Sequence, residues 1–370
     1  MKIICEKNEL FERLQSIASI TGLGPTTKPI LQNCLLVADG EGVRIEVTDL
    51  DVSARLQIER QEVEKKGKLA LPANLLVSLI RGFPGSKIVI DAMKDGQGAT
   101  LLSEAGDCSF RILGENPDEF PEIRQFAAEN ALQIPGGKLG KMLDRVGIAA
   151  SRDTSRYQLT GVFCEIAGKK LKMTATDGKR LTTDEMEIDN PASVEASGII
   201  PNRAVDVMVK VLSQGTETVQ LALQDTEVQM SFEGGELMAK LVEGTFPEYS
   251  SAIPEEVKTE VVADRGELAD AVKNAQLVTN KETGAVVFRF KGSRVEIEAK
   301  GSDKGEADIK IAAEVKGDDV EIRFNPSYFV DALRKIDTEQ VRMEFCGSER
   351  PGAIRGESSY RHYLMPLVVN

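Results

Sequence analysis

The chain has no tryptophan, one histidine and five widely spaced cysteines. No apolar run approaches the roughly 20 residues a membrane-spanning helix needs. Each shortage closes a route to function. His362 stands alone in YRHYLMP, so a histidine-based triad could draw on one position only, and no serine sits in a GxSxG-like elbow. Neither a Walker A loop nor a GxGxxG after a strand is present. Cys5, Cys34, Cys108, Cys164 and Cys346 show no metal-site or CxxC spacing, as expected of structural thiols in a reducing compartment. The N-terminus MKIICEKNELF carries charge at Lys2, Glu6 and Lys7 and has no long apolar core, so no secretory signal is expected. We therefore expect a soluble cytoplasmic protein with no catalytic residue, no metal, no cofactor and no membrane partner.

What the chain does have is repetition. Residues 42–51 read GVRIEVTDLD, 169–179 read KKLKMTATDGK, and 293–303 read SRVEIEAKGSD. Each is an alternating strand running into a polar turn with an Asp: Val43, Ile45, Val47; Leu171, Met173, Ala175; Val295, Ile297, Ala299. A second landmark recurs as LPANLL (71–76), IPNRAV (200–205) and FNPSYF (324–329), and a third as EFPEI (119–123) and TFPEY (245–249). Repetition at this spacing means one domain copied twice within 370 residues. Polar breaks near 124–129 and 253–257 divide the chain into residues 1–124, 125–252 and 253–370.

Each repeat reads helix, strands, helix, strands, an α+β layout. Helices are expected over residues 8–20 with Asn8 as N-cap, from near Pro72 to Gly82, and over 137–150, 202–213, 265–278 and 326–336. In 137–150, Leu139, Met142, Leu143 and Val146 form an apolar stripe, with Lys138, Lys141 and Arg145 on the other face. In 202–213 the stripe is Val205, Met208, Val209 and Leu212, with Arg203 and Lys210 opposite. The net charge of −13 argues against nucleic acid on average. Counted over residues 8–20, 74–83, 136–150, 202–213, 264–278 and 326–337, however, the six helical segments carry +2 together, which leaves −15 for the remainder. TATDGKRL (174–181) could cradle a phosphate through Gly and the two cations, but Asp-Gly behind an alternating strand is more simply a hairpin turn.

In order and in register along the whole chain, PILQNCLL (29–36), VTDLD (47–51), RYQLTGV (156–162), ATDGKRL (175–181), KLVEGTFPEY (240–249), FNPSY (324–328) and YLMPL (363–367) resemble the bacterial DNA polymerase III beta subunit, or beta sliding clamp, family. That resemblance implies three tandem clamp domains, each with two helices packed on antiparallel sheet. Two chains would join head to tail into a homodimeric ring around double-stranded DNA, without catalysis and without base readout. It implies channel-lining roles for Lys138, Lys141, Arg145, Arg203 and Lys210, and weaker ones for Arg13, Arg81, Lys273 and Arg334. It further implies a pocket for short peptides of the DNA polymerase III catalytic subunit, the clamp loader and other clamp-binding proteins. That pocket would be built from Arg156, Leu159, Thr176, Gly178, Arg180, Leu181, Pro247, Tyr328, Met365 and Leu367, with Asn325 beside them. Arg180 and Asn325 would bond the peptide backbone or a Gln. Phe110 and Ile112 would meet Leu277 and Val278 of a second copy. Gly24, Gln158, Ala252 and Pro351 depart from the family's best-known pattern.

Overall fold

A computed structural model describes residues 1–22, 28–94, 96–126, 130–254, 256–279 and 284–367. Gly24 lies outside the described residues. Six α-helices occur among those described: α1 (Lys7–Ile17), α2 (Ala73–Gly82), α3 (Gly136–Gly147), α4 (Asn202–Leu212), α5 (Arg265–Leu277) and α6 (Pro326–Arg334). The expected pattern of two helices per repeat holds, with shorter ends. α1 starts one residue before Asn8 because the Glu6 carboxylate, not Asn8, accepts the Glu9 N–H (2.9 Å). Its last expected turn tightens into the 3-10 segment Ala18–Thr21. α6 stops at Arg334, where Lys335 N–H turns back to the carbonyls of Ala332 and Leu333.

The chain forms two compact units. The first comprises residues 1–141, 166–169 and 188–242, and the second comprises 142–165, 170–187 and 243–370, so the middle repeat contributes to both.

In the first unit one sheet orders Gln61–Lys65, Lys2–Glu6, Lys87–Ala92, Gly98–Ser103, Ser109–Leu113. A larger one orders Leu132–Pro135, Thr218–Leu223, Glu227–Phe232, Gly235–Lys240, Val52–Ile58, Val43–Thr48, Asn33–Ala38, Gly67–Pro72. Repeat one meets repeat two in the middle of this sheet, where Gly235–Lys240 runs antiparallel to Val52–Ile58. Helix α1 packs on α2 and on α4. Lys210 Nζ reaches Ser19 Oγ (3.2 Å), and Gln214 Nε2 donates to the Glu12 carbonyl (3.0 Å).

In the second unit the strand order runs Lys170–Thr176, Arg180–Glu187, Arg361–Leu364, Gly352–Arg355, Gln340–Phe345, Thr259–Asp264, Gly305–Gly317, Arg294–Gly301, Val286–Lys291, Val320–Phe324. Repeats two and three meet at the pairing Arg180↔Leu364, Leu181↔Tyr363. Alternation along these strands buries Phe288, Phe290, Phe324 and Phe345 on one side, where they and Phe329 of α6 form a ring cluster with neighbouring centroids 4.4–6.3 Å apart. The C-terminal half of α3 lies against α6: Lys335 Nζ bonds both Asp144 oxygens at 2.7 Å. In each unit, then, the first helix of one repeat meets the second helix of the next.

Candidate functional site

The hairpin alternative for TATDGKRL is the one realised. Thr176 Oγ1 donates to the Arg180 carbonyl (2.7 Å) and accepts from Gly178 N–H (3.0 Å). Asp177 Oδ1 accepts from the N–H groups of Lys179 (2.9 Å) and Arg180 (3.0 Å). These bonds hold Gly178 at φ +83°, a conformation that favours glycine, and a Cβ there would lie 3.0 Å from Arg156 Nη1. Arg156 therefore lies over the turn.

The chain's last described residues run along the same turn. Met365 N–H donates to the Lys179 carbonyl (3.0 Å), and Leu367 N–H to the Arg323 carbonyl (2.8 Å). Met365 is 44% exposed, a large apolar side chain in water, whereas Leu159 and Leu181 are buried. Leu159 ends the 3-10 segment Thr154–Leu159, whose Gln158 abuts Gly244. Three residues on, Pro247 is exposed next to Phe246, which stacks on Phe163 at 5.0 Å. One turn and three converging segments thus give an apolar surface with polar edges, suited to covering an apolar side chain of a peptide.

Two residues expected to bond a peptide already hold bonds within the chain. Arg180 spends part of its guanidinium within the chain. Its side chain is 12% exposed, Nε bonds Asp177 (3.1 Å), Nη1 bonds Asp331 (2.9 Å), and its guanidinium covers the Tyr328 ring at 4.3 Å. Asn325 Oδ1 accepts from Ser327 N–H (2.9 Å) as the N-cap of α6. Both side chains are engaged within the chain. Asp177 and Asp331 were missed from sequence because nothing local distinguishes them from other surface acids.

The first unit repeats this frame. Thr48 Oγ1 bonds Leu50 N–H (3.0 Å) and the Val52 carbonyl (3.2 Å), and Asp49 Oδ1 accepts from Asp51 and Val52. Lys240 N–H donates to the Asp51 carbonyl and Val242 N–H to the Ile199 carbonyl, each at 2.8 Å. Leu50 takes the place of Gly178, with φ +81°. Lys240, ion-paired with Asp51 at 3.0 Å, takes the place of Met365. The backbone frame is the same, while the exposed methionine is replaced by an ion-paired lysine.

Of the helix cations, Lys138, Lys141, Arg203 and Lys210 are exposed. Arg203 also pairs with Asp49 (2.7 Å) and donates to the Ile20 carbonyl (2.7 Å). Arg81 is exposed over the Phe11 ring, Lys273 is exposed beside Asp270, and Arg334 is exposed 3.8 Å from Asp331. Arg13 is half-buried near Glu59. Arg145 does not lie with the others on an open face. It is buried, bonds Asp337 (2.6 Å) and the Lys335 carbonyl (3.1 Å), and lies 3.5 Å from Asp184. Its acidic partners come from distant segments, so helical spacing alone could not reveal its burial.

At the expected contact with a second copy, Leu277 is 69% exposed and Phe110 half-exposed. Val278 packs partly against the C-terminal core. Ile112 is buried in its own chain, because it stands opposite Ala99 on the covered face of its sheet. The neighbouring Leu113, unnoticed in the sequence, is 73% exposed.

His362 is fully buried with Tyr360 Oη 3.1 Å from Nδ1, and burial pushes its pKa down to about 3, so it is neutral and structural. Burial pushes the thiols of Cys5, Cys34 and Cys164 up to about 12, which removes their thiolate reactivity. Among the described residues no group of three His, Cys, Asp or Glu could hold a metal, and no helix is long and apolar enough to cross a membrane.

Models for the N-terminal, central and C-terminal domains of the DNA polymerase III beta subunit match residues 1–124, 133–248 and 250–367. The beta sliding clamp of Chlamydia pneumoniae is 29% identical over 367 residues, covering 99% of each chain. That of Bacillus subtilis is 27% identical over 365 residues, covering 96% of each. Among solved structures, the DNA polymerase III beta subunit of Thermotoga maritima superposes with a TM-score of 0.89 at 27% identity. A sliding clamp from Pseudomonas aeruginosa bound to griselimycin does so with 0.89 at 25% identity. Each of these two covers 100% of both chains. The chain thus belongs to the DNA polymerase III beta subunit family, the beta sliding clamps, and is a non-catalytic processivity factor of DNA replication.

Proposed function

We propose that two copies of the chain close head to tail into a ring around duplex DNA, with residues 1–124, 125–252 and 253–370 as the three domains of each. The carrying observation is which helices have partners. α1 meets α4, and the C-terminal half of α3 meets α6. Applied once more, the same rule asks α5 of one chain to meet α2 of the other. These two helices keep Leu277 and Leu75 in water, and the nearby edge strand Ser109–Leu113 keeps Phe110 and Leu113 there. A two-fold axis would use each contact twice and leave no free end.

In this ring Lys138, Lys141, Arg203 and Lys210, with Arg13, Arg81, Lys273 and Arg334, supply weak phosphate contacts that permit sliding. Arg145, being paired within its own chain, is left out of the lining. The acidity elsewhere faces away from DNA. Working inside the cytoplasm, the ring holds partners at the second-unit site: the polymerase III catalytic subunit, the clamp loader and other proteins with short apolar segments. Griselimycin, bound by the Pseudomonas aeruginosa relative, is proposed as a ligand of this chain too.

The test is a fluorescein-labelled hexapeptide carrying a Gln and two large apolar residues, titrated into the full chain by polarisation. Saturable binding that disappears in the Met365→Ser, Leu367→Ser double variant, with the dimer retained in sedimentation, supports the site. Equal binding by the double variant refutes it.

A further inference from the structure

We infer that Asp331, which belongs to no apolar wall of the pocket, is a positioning residue for partner binding. This rests on the pocket proposed above. Tyr328 and Asp331 stand three residues apart on one face of α6, and both engage the same guanidinium. Arg180 Nη1 bonds Asp331 Oδ2 at 2.9 Å, and its carbon lies 4.3 Å from the centre of the Tyr328 ring. The other arm of the fork, Nε, is held by Asp177 of the hairpin turn at 3.1 Å. The guanidinium is therefore stretched between turn and helix, with an aromatic face beneath it.

The geometry suits arginine. Its planar fork can take a carboxylate on each side while stacking on a ring, which an ammonium cannot do. Two charge-assisted bonds from opposite directions set the plane of the group. Remove the Asp331 charge and the remaining pull is toward Asp177 alone. The guanidinium is then free to leave the ring, and Tyr328 loses the contact that fixes its orientation.

The first unit supports a fastening role. There the equivalent turn is tied to α4 by the pair Asp49–Arg203 at 2.7 Å, with the acid on the turn and the base on the helix. In the second unit the polarity is reversed, with the base on the turn and the acid on the helix. Both turns are pinned to the following repeat's second helix by one Arg–Asp pair. Only in the second unit does the pair also cover an aromatic ring next to the exposed Met365 segment.

The experiment measures binding of the labelled hexapeptide to the full-length dimer. Asp331→Asn is expected to weaken binding about tenfold, as loss of one well-placed charge-assisted bond implies. Asp331→Glu, which keeps the charge, should recover to within about threefold of wild type. In an Arg180→Gln background, Asp331→Asn should have no further effect, because the two act as one unit. A purely structural role for Asp331 would instead add its cost in either background. Wild-type or tighter binding by Asp331→Asn overturns the inference, since it would mean that a released Arg180 serves the peptide at least as well. If the Met365→Ser, Leu367→Ser control binds normally, it is the pocket itself that fails.

Discussion

Arg145 Nη2 donates to Asp337 Oδ2 at 2.6 Å, joining the last turn of α3 to the residues just after α6. With Asp184 at 3.5 Å and the Lys335 carbonyl at 3.1 Å, it forms a charge cluster in which Arg145 and Asp184 are buried and Asp337 is exposed, extended by Ser359 Oγ, which donates to Asp184 Oδ1 at 2.5 Å. Removing Arg145 leaves the buried Asp184 without its cation. Arg145→Ala should cost about 3–5 kcal/mol in denaturant unfolding. Lys138→Ala and Lys141→Ala, at exposed sites, should stay within about 0.5 kcal/mol of wild type. Each of those two should lower the salt slope of DNA binding by about 1. A stable Arg145→Ala variant would argue that this cluster does not hold the second unit together.

Leu50 and Gly178 have φ +81° and +83° at the same place in duplicated turns. A leucine there bears a left-handed backbone penalty of about 1–2 kcal/mol that glycine avoids. Leu50 is also 44% exposed, so little packing would be lost with it. Leu50→Gly should therefore be neutral or stabilising by up to about 1 kcal/mol, after the extra chain entropy of glycine is subtracted. Gly178→Ala should be destabilising by a similar amount and should press on Arg156. Thermal melts of both variants check the pair. A destabilised Leu50→Gly together with a stabilised Gly178→Ala would mean that the left-handed backbone penalty does not govern these two turns.

The burial of His362 gives a pH dependence of known sign. Its pKa is about 3 in the folded chain, below the ordinary 6.5. Above pH 6.5 neither state binds the proton. As pH falls below 6.5 the unfolded chain takes it up while the folded chain does not, so stability declines toward pH 3 at about 1.4 kcal/mol per unit. His362→Gln lacks this term. The stability advantage of wild type over the variant should shrink by about 2 kcal/mol between pH 6.5 and 5 in urea titrations. Parallel curves would show that the imidazole takes up its proton as readily in the folded chain as in the unfolded one.

The repeats, the helix stripes and the Asp-Gly hairpin were legible because they depend on short-range periodicity and turn chemistry. Leu139, Leu143 and Val146 are buried as their spacing required. What was hidden depends on pairing across long separations. Nothing near Arg145 announces Asp184 or Asp337, and nothing near Arg180 announces Asp331. Ile112 and Leu113 are adjacent apolar residues, and only the register against Ala99 decides which of them faces water. The N-cap of α1 passed from Asn8 to Glu6 because the preceding strand places the Glu6 carboxylate over the open N–H of Glu9.

The central claim is topological retention on DNA by a closed dimer. The most direct measurement loads the chain onto nicked circular duplex, washes at 1 M salt, and then cuts the circle. A ring stays bound through the wash and leaves when the DNA is linearised. Binding carried by Lys138, Lys141, Arg203 and Lys210 alone would be lost in the wash from circle and linear DNA alike, and that outcome would contradict the account.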